Sequence, residues 1–212
     1  MINVKIFTVN PFMQNTYLLY DETMEAIVID AGFGNSGEEK IFLSFLEKNS
    51  LKLKRLINTH CHIDHIWGNK FVSERFGLEV EANQLETSNN EGAEAYSSLF
   101  GISIPKPPAI GKFINDGDLI EFGNSVLKAL FTPGHTAGHI CFYAEDEKIL
   151  ISGDVLFAQS IGRTDLPGGD YDTLINSINN KLMVLDDDVK VYPGHNEPTT
   201  IGRERKFNPF LI

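Results

Sequence analysis

Thr59-His60-Cys61-His62-Ile63-Asp64-His65 is the stretch that decides how this chain reads. It holds three of the six histidines in the protein, with an aspartate among them. The other histidines stand in two further short loops. His135 and His139 lie in Pro133-Gly134-His135-Thr136-Ala137-Gly138-His139, and His195 lies in Pro193-Gly194-His195. Histidines that answer separate packing needs scatter along a chain, whereas these are concentrated in loops. Imidazole and carboxylate together are the donors a borderline divalent ion such as zinc selects.

Each loop is fed by an apolar run of strand character. Leu56-Ile57 leads to His60, Leu130-Phe131 to His135, and Val189 to Val191 into Pro193-Gly194-His195. A fourth run, Ile149-Leu150-Ile151, leads to Ser152-Gly153-Asp154. Side chains at strand ends, held by rigid neighbours, converge along one edge of a sheet. Glycine lets the backbone turn sharply enough to aim them.

His60 and His62 are two residues apart, so an extended backbone points them the same way. Asp64 and His65 lie beyond the bend, facing a second ion. The count of donors suits two ions: His60, His62 and His135 on the first, Asp64, His65 and His195 on the second, and Asp154 between them. A purely structural zinc would be closed by four ligands, often thiolates, while this set leaves room for a bridging water. His139 is surplus to the count and is expected to support a ligand from behind. Cys61 is expected to point away from its flanking ligands, and Cys141 into the core.

Around these loops, strands are predicted over 4–9, 15–20, 25–30 and 53–58, then over 119–122, 126–131, 139–143, 149–152 and 189–192. Helices are predicted over 37–49 with Ser36 as N-cap, 69–76 ending at Gly77, 84–99, 171–185 and 199–207. Ile104-Pro105-Lys106-Pro107-Pro108 reads as a loop. Consecutive strands in each half argue for a layered body, read as one domain over 1–212. A net charge of −11 argues against a nucleic-acid groove or an anionic membrane surface, both of which need clustered Lys and Arg. Two cysteines without framework spacing, no leader pattern and no apolar run of membrane length point to the cytoplasm. No feature of the chain speaks to its oligomeric state.

Taken together, the loops resemble the metallo-β-lactamase fold superfamily. Its pattern of His-x-His-x-Asp-His, then a distant His, Asp and His, is matched by His60, His62, Asp64, His65, His135, Asp154 and His195. The resemblance implies an α+β αββα sandwich with the metal site at one edge of the two sheets. His62, where the flavodiiron branch has Glu, favours hydrolytic chemistry.

Thr132 to His139 resembles the glyoxalase II family, the hydroxyacylglutathione hydrolases. Gly162-Arg163-Thr164-Asp165 is similar to small bacterial glyoxalase II-like proteins and to persulfide dioxygenases. The small bacterial group is also matched by Pro193-Gly194-His195, by Thr199-Thr200-Ile201-Gly202-Arg203-Glu204 and by Asn208-Pro209-Phe210. Asn196-Glu197 departs from that group, which usually continues with Gly.

The function implied is hydrolysis of a small thioester of the S-lactoylglutathione type by a metal-bridging hydroxide. Two divalent ions are implied, zinc first, with iron or manganese as alternatives. Asp64 and Asp154 would orient the nucleophile while holding metal. Arg163 would bind a substrate carboxylate or else pair with Asp165 or Asp170. The sequence ends at residue 212, so the C-terminal helical segment with which full-length glyoxalase II grips glutathione is not expected. The alternative is a mononuclear iron persulfide dioxygenase using only His60, His135 and Asp154.

Overall fold

The apolar alternation near the N-terminus pairs as a meander. Strands β1 (Asn3–Val9), β2 (Gln14–Tyr20) and β3 (Glu25–Ile29) run antiparallel, with Asn3 opposite Tyr20, Val9 opposite Gln14 and Tyr17 opposite Ile29. The computed structural model describes all 212 residues. It divides into two compact units: Met1–Phe113 with Glu121–Val126, and Ile114–Ile120 with Leu127–Ile212.

In the first unit, α1 (Ser36–Lys48) returns the chain to β4 (Lys52–Ile57), parallel to β3. The short α2 (Ile63–Ile66) and α3 (Asn69–Phe76) precede β5 (Val80–Ala82). A 3-10 turn at Gln84–Glu86 then runs into α4 (Thr87–Ser98) and β6 (Ile110–Phe113). The sheet order follows the sequence, β1 to β6, and is parallel from β3 onward because helical crossovers join the later strands. Phe7, Leu18, Val28, Phe42, Leu56 and Val80 are among the side chains that fill the core. Phe7 meets Phe42 and Phe45 edge-on, with centroids 5.6 and 5.7 Å away.

The cap of α1 differs from expectation. Asn35, extended at φ −158°, accepts from the amides of Gly37 and Glu38, so Ser36 is the first helical residue. Strands β5 and β6 were not anticipated, since runs this short, with a charge inside, carry no legible period. Contacts across the sheet hold them. Arg55 on β4 grips Glu81 on β5 at 2.8 and 2.5 Å, and Lys112 on β6 reaches the same carboxylate at 3.1 Å.

The second unit is built on β7 (Leu119–Phe122), β8 (Ser125–Phe131), β9 (Ile140–Ala144) and β10 (Ile149–Gly153). The tip of the β7–β8 hairpin groups with the first unit. A small hairpin of β11 (Leu156–Phe157) and β12 (Ser160–Ile161) follows. Next come α5 (Tyr171–Ser177), β13 (Lys190–Pro193), β14 (Thr199–Thr200) and α6 (Ile201–Phe207). Sheet order is β14-β13-β10-β9-β8-β7, with β13 parallel to β10.

The helix expected over 171–185 is α-helical only through Ser177, then widens into a π turn at Ile178–Leu182. Leu174, Ile178 and Leu182 are all fully buried across that change. Packing of this apolar row into the core outweighs regular helix geometry. Each unit is thus a mixed sheet with helices, and the class is α+β. No helix is long and apolar enough to cross a membrane.

Candidate metal centre

In the first unit the site is organised from Asp30, just past the end of β3. This residue takes a positive φ of 56°. Its Oδ1 accepts from the Thr59 amide at 2.7 Å and its Oδ2 from the Thr59 hydroxyl at 2.7 Å. With that hydroxyl hydrogen committed, Thr59 Oγ1 must accept from His60 Nδ1–H, 3.0 Å away. The tautomer is thereby set: His60 keeps a lone pair on Nε2. Asp30 Oδ2 also accepts from His65 Nδ1–H at 2.9 Å, which leaves Nε2 of His65 as its donor atom. One buried carboxylate therefore orients two imidazoles, one directly and one through Thr59.

The donor spacing fits an ion. His60 Nε2 and His62 Nδ1 are 3.1 Å apart, and His65 Nε2 and Asp64 Oδ2 are 3.7 Å apart. Two ligands each about 2.1 Å from a tetrahedral ion stand roughly 3.4 Å from one another. Donor atoms of Asp30, His60 and His65 lie within 4.8 Å of one another. Asp30 is the supporting member of that trio, since its oxygens are spent on Thr59 and His65.

The backbone of the loop is clamped as well. Asn10 Nδ2 donates to the Asp64 carbonyl at 2.9 Å, and a Cβ on Gly32 would meet that same oxygen at 2.3 Å. The Cys61 amide donates to the buried Glu86 carboxylate at 2.8 Å. The Cys61 thiol turns among Ile63, Ile66, Ala82, Ala93 and Ile104. Burial first, then the negative charges of Glu86 and Asp30, pushes it well above the usual thiol range. Its packing in this apolar cluster sets the thiol apart from the neighbouring imidazoles, as its position between His60 and His62 suggested.

In the second unit Asp154 follows β10. Its Oδ2 is 3.6 Å from Nε2 of His135 and also 3.6 Å from Nε2 of His195. His135 donates from Nδ1 to the Arg163 carbonyl at 2.8 Å, so its Nε2 lone pair faces the carboxylate. His139 accepts the Asp154 amide at Nε2, 3.1 Å away, and must therefore donate from Nδ1 to Thr132 Oγ1 at 3.1 Å. It holds Asp154 from behind.

Two glycines permit this closeness. At Gly134 (φ 127°) a Cβ would stand 2.3 Å from the Leu174 amide nitrogen, and at Gly162 it would stand 1.9 Å from the Asp154 carbonyl. The guanidinium of Arg163 grips exposed Asp165 through two hydrogen bonds of 2.7 Å, and these hold the carboxyl down at about 2. Of the two roles the sequence left open for that side chain, the structure shows the pair with Asp165. Asp170 instead caps α5.

Each unit thus gathers its own share of the expected donors: His60, His62, Asp64 and His65 in one, His135, Asp154 and His195 in the other. Asp30, Thr59, Glu86 and the Arg163 carbonyl were missed. A signal for Asp30 was present, because it follows the apolar run of β3 just as Asp154 follows that of β10. For a backbone carbonyl no sequence signal exists.

A family model described as the metallo-β-lactamase superfamily matches residues 9–195. The chain is 37% identical over 217 residues to hydroxyacylglutathione hydrolase GloC of Haemophilus influenzae, covering 99% of this chain and 98% of that protein. Among solved structures, the BLEG-1 B3 metallo-β-lactamase superposes with a TM-score of 0.90 at 33% identity, covering 100% of this chain and 99% of that one. TTHA1623 in a di-iron-bound form superposes at 0.88 with 34% identity, over 98% of this chain and 100% of that one. ETHE1 from Myxococcus xanthus gives 0.80 at 26% identity, over 98% and 83%.

Proposed function

This chain belongs to the metallo-β-lactamase superfamily, and on that premise we propose that it hydrolyses a small thioester of the S-lactoylglutathione type. The observation that carries the reading is the placing of Asp154 Oδ2 at equal distance, 3.6 Å, from the donor nitrogens of His135 and His195. This placement supports reading Asp154 as the carboxylate that two ions would share. The ligand set we propose puts His60, His62 and His135 on one ion and Asp64, His65 and His195 on the other. Asp154 would be shared between the two ions. Zinc suits these donors; the di-iron form of TTHA1623 supports iron, and manganese accepts the same set.

Bound divalent ions would supply a water of lowered pKa and polarise the thioester carbonyl. The protein does the rest. Asp64 and Asp154 carry carboxylate oxygens that accept a hydrogen bond from the attacking water and aim it. His60, His65 and His135 have their Nδ1 protons committed to Thr59, Asp30 and the Arg163 carbonyl, so they hold geometry and do not shuttle protons. A thiolate departs without a strong acid beside it. Arg163, paired at the surface with Asp165, can exchange that partner for a substrate carboxylate, because exposed pairs are weakly held. The relative named hydroxyacylglutathione hydrolase supports this substrate class. A reducing cytoplasm is the compartment we propose, with Cys61 and Cys141 as buried free thiols.

Gly162-Arg163-Thr164-Asp165 favours a second reading, a mononuclear iron persulfide dioxygenase using His60, His135 and Asp154. Elemental analysis with paired assays separates the two. Two metal equivalents, turnover of S-lactoylglutathione and loss of that turnover in a folded Asp154→Ala variant are expected. One iron per chain with oxygen uptake on glutathione persulfide would sink the thioesterase reading.

A further inference from the structure

Glu204 is a fully buried carboxylate outside the ligand set, on α6 in the second unit. A carboxyl group withdrawn from water needs hydrogen bonds around it, and here they are present. Its Oε1 accepts from Thr199 Oγ1 at 2.5 Å, and its Oε2 accepts from the Gln159 amide at 2.7 Å and from Asn208 Nδ2 at 3.0 Å. Asn208 Nδ2 also donates to the Ser160 carbonyl at 3.0 Å. Glu204 and Asn208 thus seize the tip of the β11–β12 hairpin from two sides.

That hairpin leaves Asp154 and returns to Arg163, so both of its ends lie in the donor cluster of this unit. Its neck is closed by the Gly162 amide donating to the Val155 carbonyl at 3.2 Å. Gly162 packs on the Asp154 backbone so tightly that no Cβ fits. The Arg163 carbonyl orients His135. On the hairpin's first strand, Phe157 lies against the His195 ring at 6.4 Å between centroids. His135, Asp154 and His195 are therefore each touched by one short element with strands of two residues, too short to hold a shape unaided.

We propose that Glu204, with Thr199 and Asn208, is a positioning residue that sets the mutual placement of His135, Asp154 and His195 through the hairpin 154–163. It thereby sets the metal affinity of this half of the ligand set. The inference rests on the reading of those three residues as ligands. It also gives a purpose to the Thr199–Glu204 and Asn208 motifs, which the proposed reaction leaves unused.

The test uses metal-free full-length protein, titrated with Zn²⁺ against a chromophoric chelator and with Co²⁺ followed by visible absorption. Glu204→Ala should bind one Zn²⁺ equivalent about tenfold or more weakly and shift the Co²⁺ spectrum. Glu204→Gln should restore both. The amide oxygen can accept from Gln159 and Asn208 while its NH₂ donates to Thr199 Oγ1. Should Glu204→Ala not fold, Asn208→Ala decides, with the same expectation at smaller size. A folded variant with a lowered melting temperature but wild-type affinity and spectrum would overturn the proposal and leave Glu204 merely structural. Zn²⁺ binding left at the wild-type level by His135→Ala and by His195→Ala would instead defeat the ligand reading itself.

Discussion

Replacing Asp30 by Asn tests the organisation of the first unit's donors without changing its shape. Asp30 Oδ1 accepts from the Thr59 amide at 2.7 Å, and a backbone N–H cannot reverse its polarity. The single oxygen of Asn must therefore occupy that position, which places its NH₂ where Oδ2 now faces Thr59 Oγ1 and His65 Nδ1. The Thr59 hydroxyl can turn to accept. His65 has one option, which is to move its proton from Nδ1 to Nε2. The atom that faces Asp64 Oδ2 at 3.7 Å then bears a hydrogen in place of a lone pair. Loss of an orienting partner of this kind weakens metal binding by about 10–100-fold, or roughly 1.4–2.8 kcal/mol. Folding should lose about 1.5–3 kcal/mol for hydrogen bonds to a charged acceptor, within a total near 5–15 kcal/mol, so Asp30→Asn stays folded. Asp30→Ala would orphan every donor around that carboxylate and approach the full stability, which makes it the poorer probe. The assay is Zn²⁺ competition on the metal-free protein, together with long-range ¹⁵N–¹H NMR of the imidazoles. Wild-type affinity at every equivalent, or a His65 that keeps its Nδ1 proton, would refute the chain of reasoning from Asp30 to the ion.

Gly162→Ala should cost both stability and metal, because its Cβ would fall 1.9 Å from the Asp154 carbonyl and 3.1 Å from His135 Nδ1. A lowered melting temperature with intact Zn²⁺ affinity would show the loop relaxing away from the donors. Glu81 makes the stability depend on pH. Burial raises its pKa, but the hydrogen bonds and charges of Arg55 and then Lys112 outweigh that and hold it below the usual carboxylate value. A depressed folded value means the contribution is complete above the unfolded pKa of about 4.3 and is lost as pH falls through the folded one. Glu81→Gln should thus lower the urea midpoint at pH 7, by a change worth about 1.5–3 kcal/mol. The difference should shrink toward zero as pH drops below the carboxylate range, and a gap of equal size at acid pH would contradict the assignment.

The candidate donors were legible because ligand chemistry belongs to residue type, and because each loop follows an apolar strand whose end can be read locally. The same grammar carried the meander of β1 to β3 and the helices α1 and α3, whose apolar rows repeat often enough to show a period. Strands β5, β6, β11 and β12 were not legible. They are two to four residues long, and bonds to neighbours remote in sequence form them. The over-long helix at 171–185 failed for a related reason, since a π turn is chosen by core packing around Ile178 and Leu182 and not by propensity.

What the sequence alone put forward is the kind of site and the residues proposed to furnish it: His60, His62, Asp64, His65, His135, Asp154 and His195 in strand-end loops. These follow from covalent order and side-chain chemistry. What only the tertiary structure decided is how each donor is aimed. His65 takes its tautomer from Asp30, 35 residues away in the chain, and His135 takes its own from the carbonyl of Arg163, a backbone atom that leaves no mark in the sequence. A histidine's useful nitrogen is the one its partner leaves free, and the partner is found only once the chain has folded.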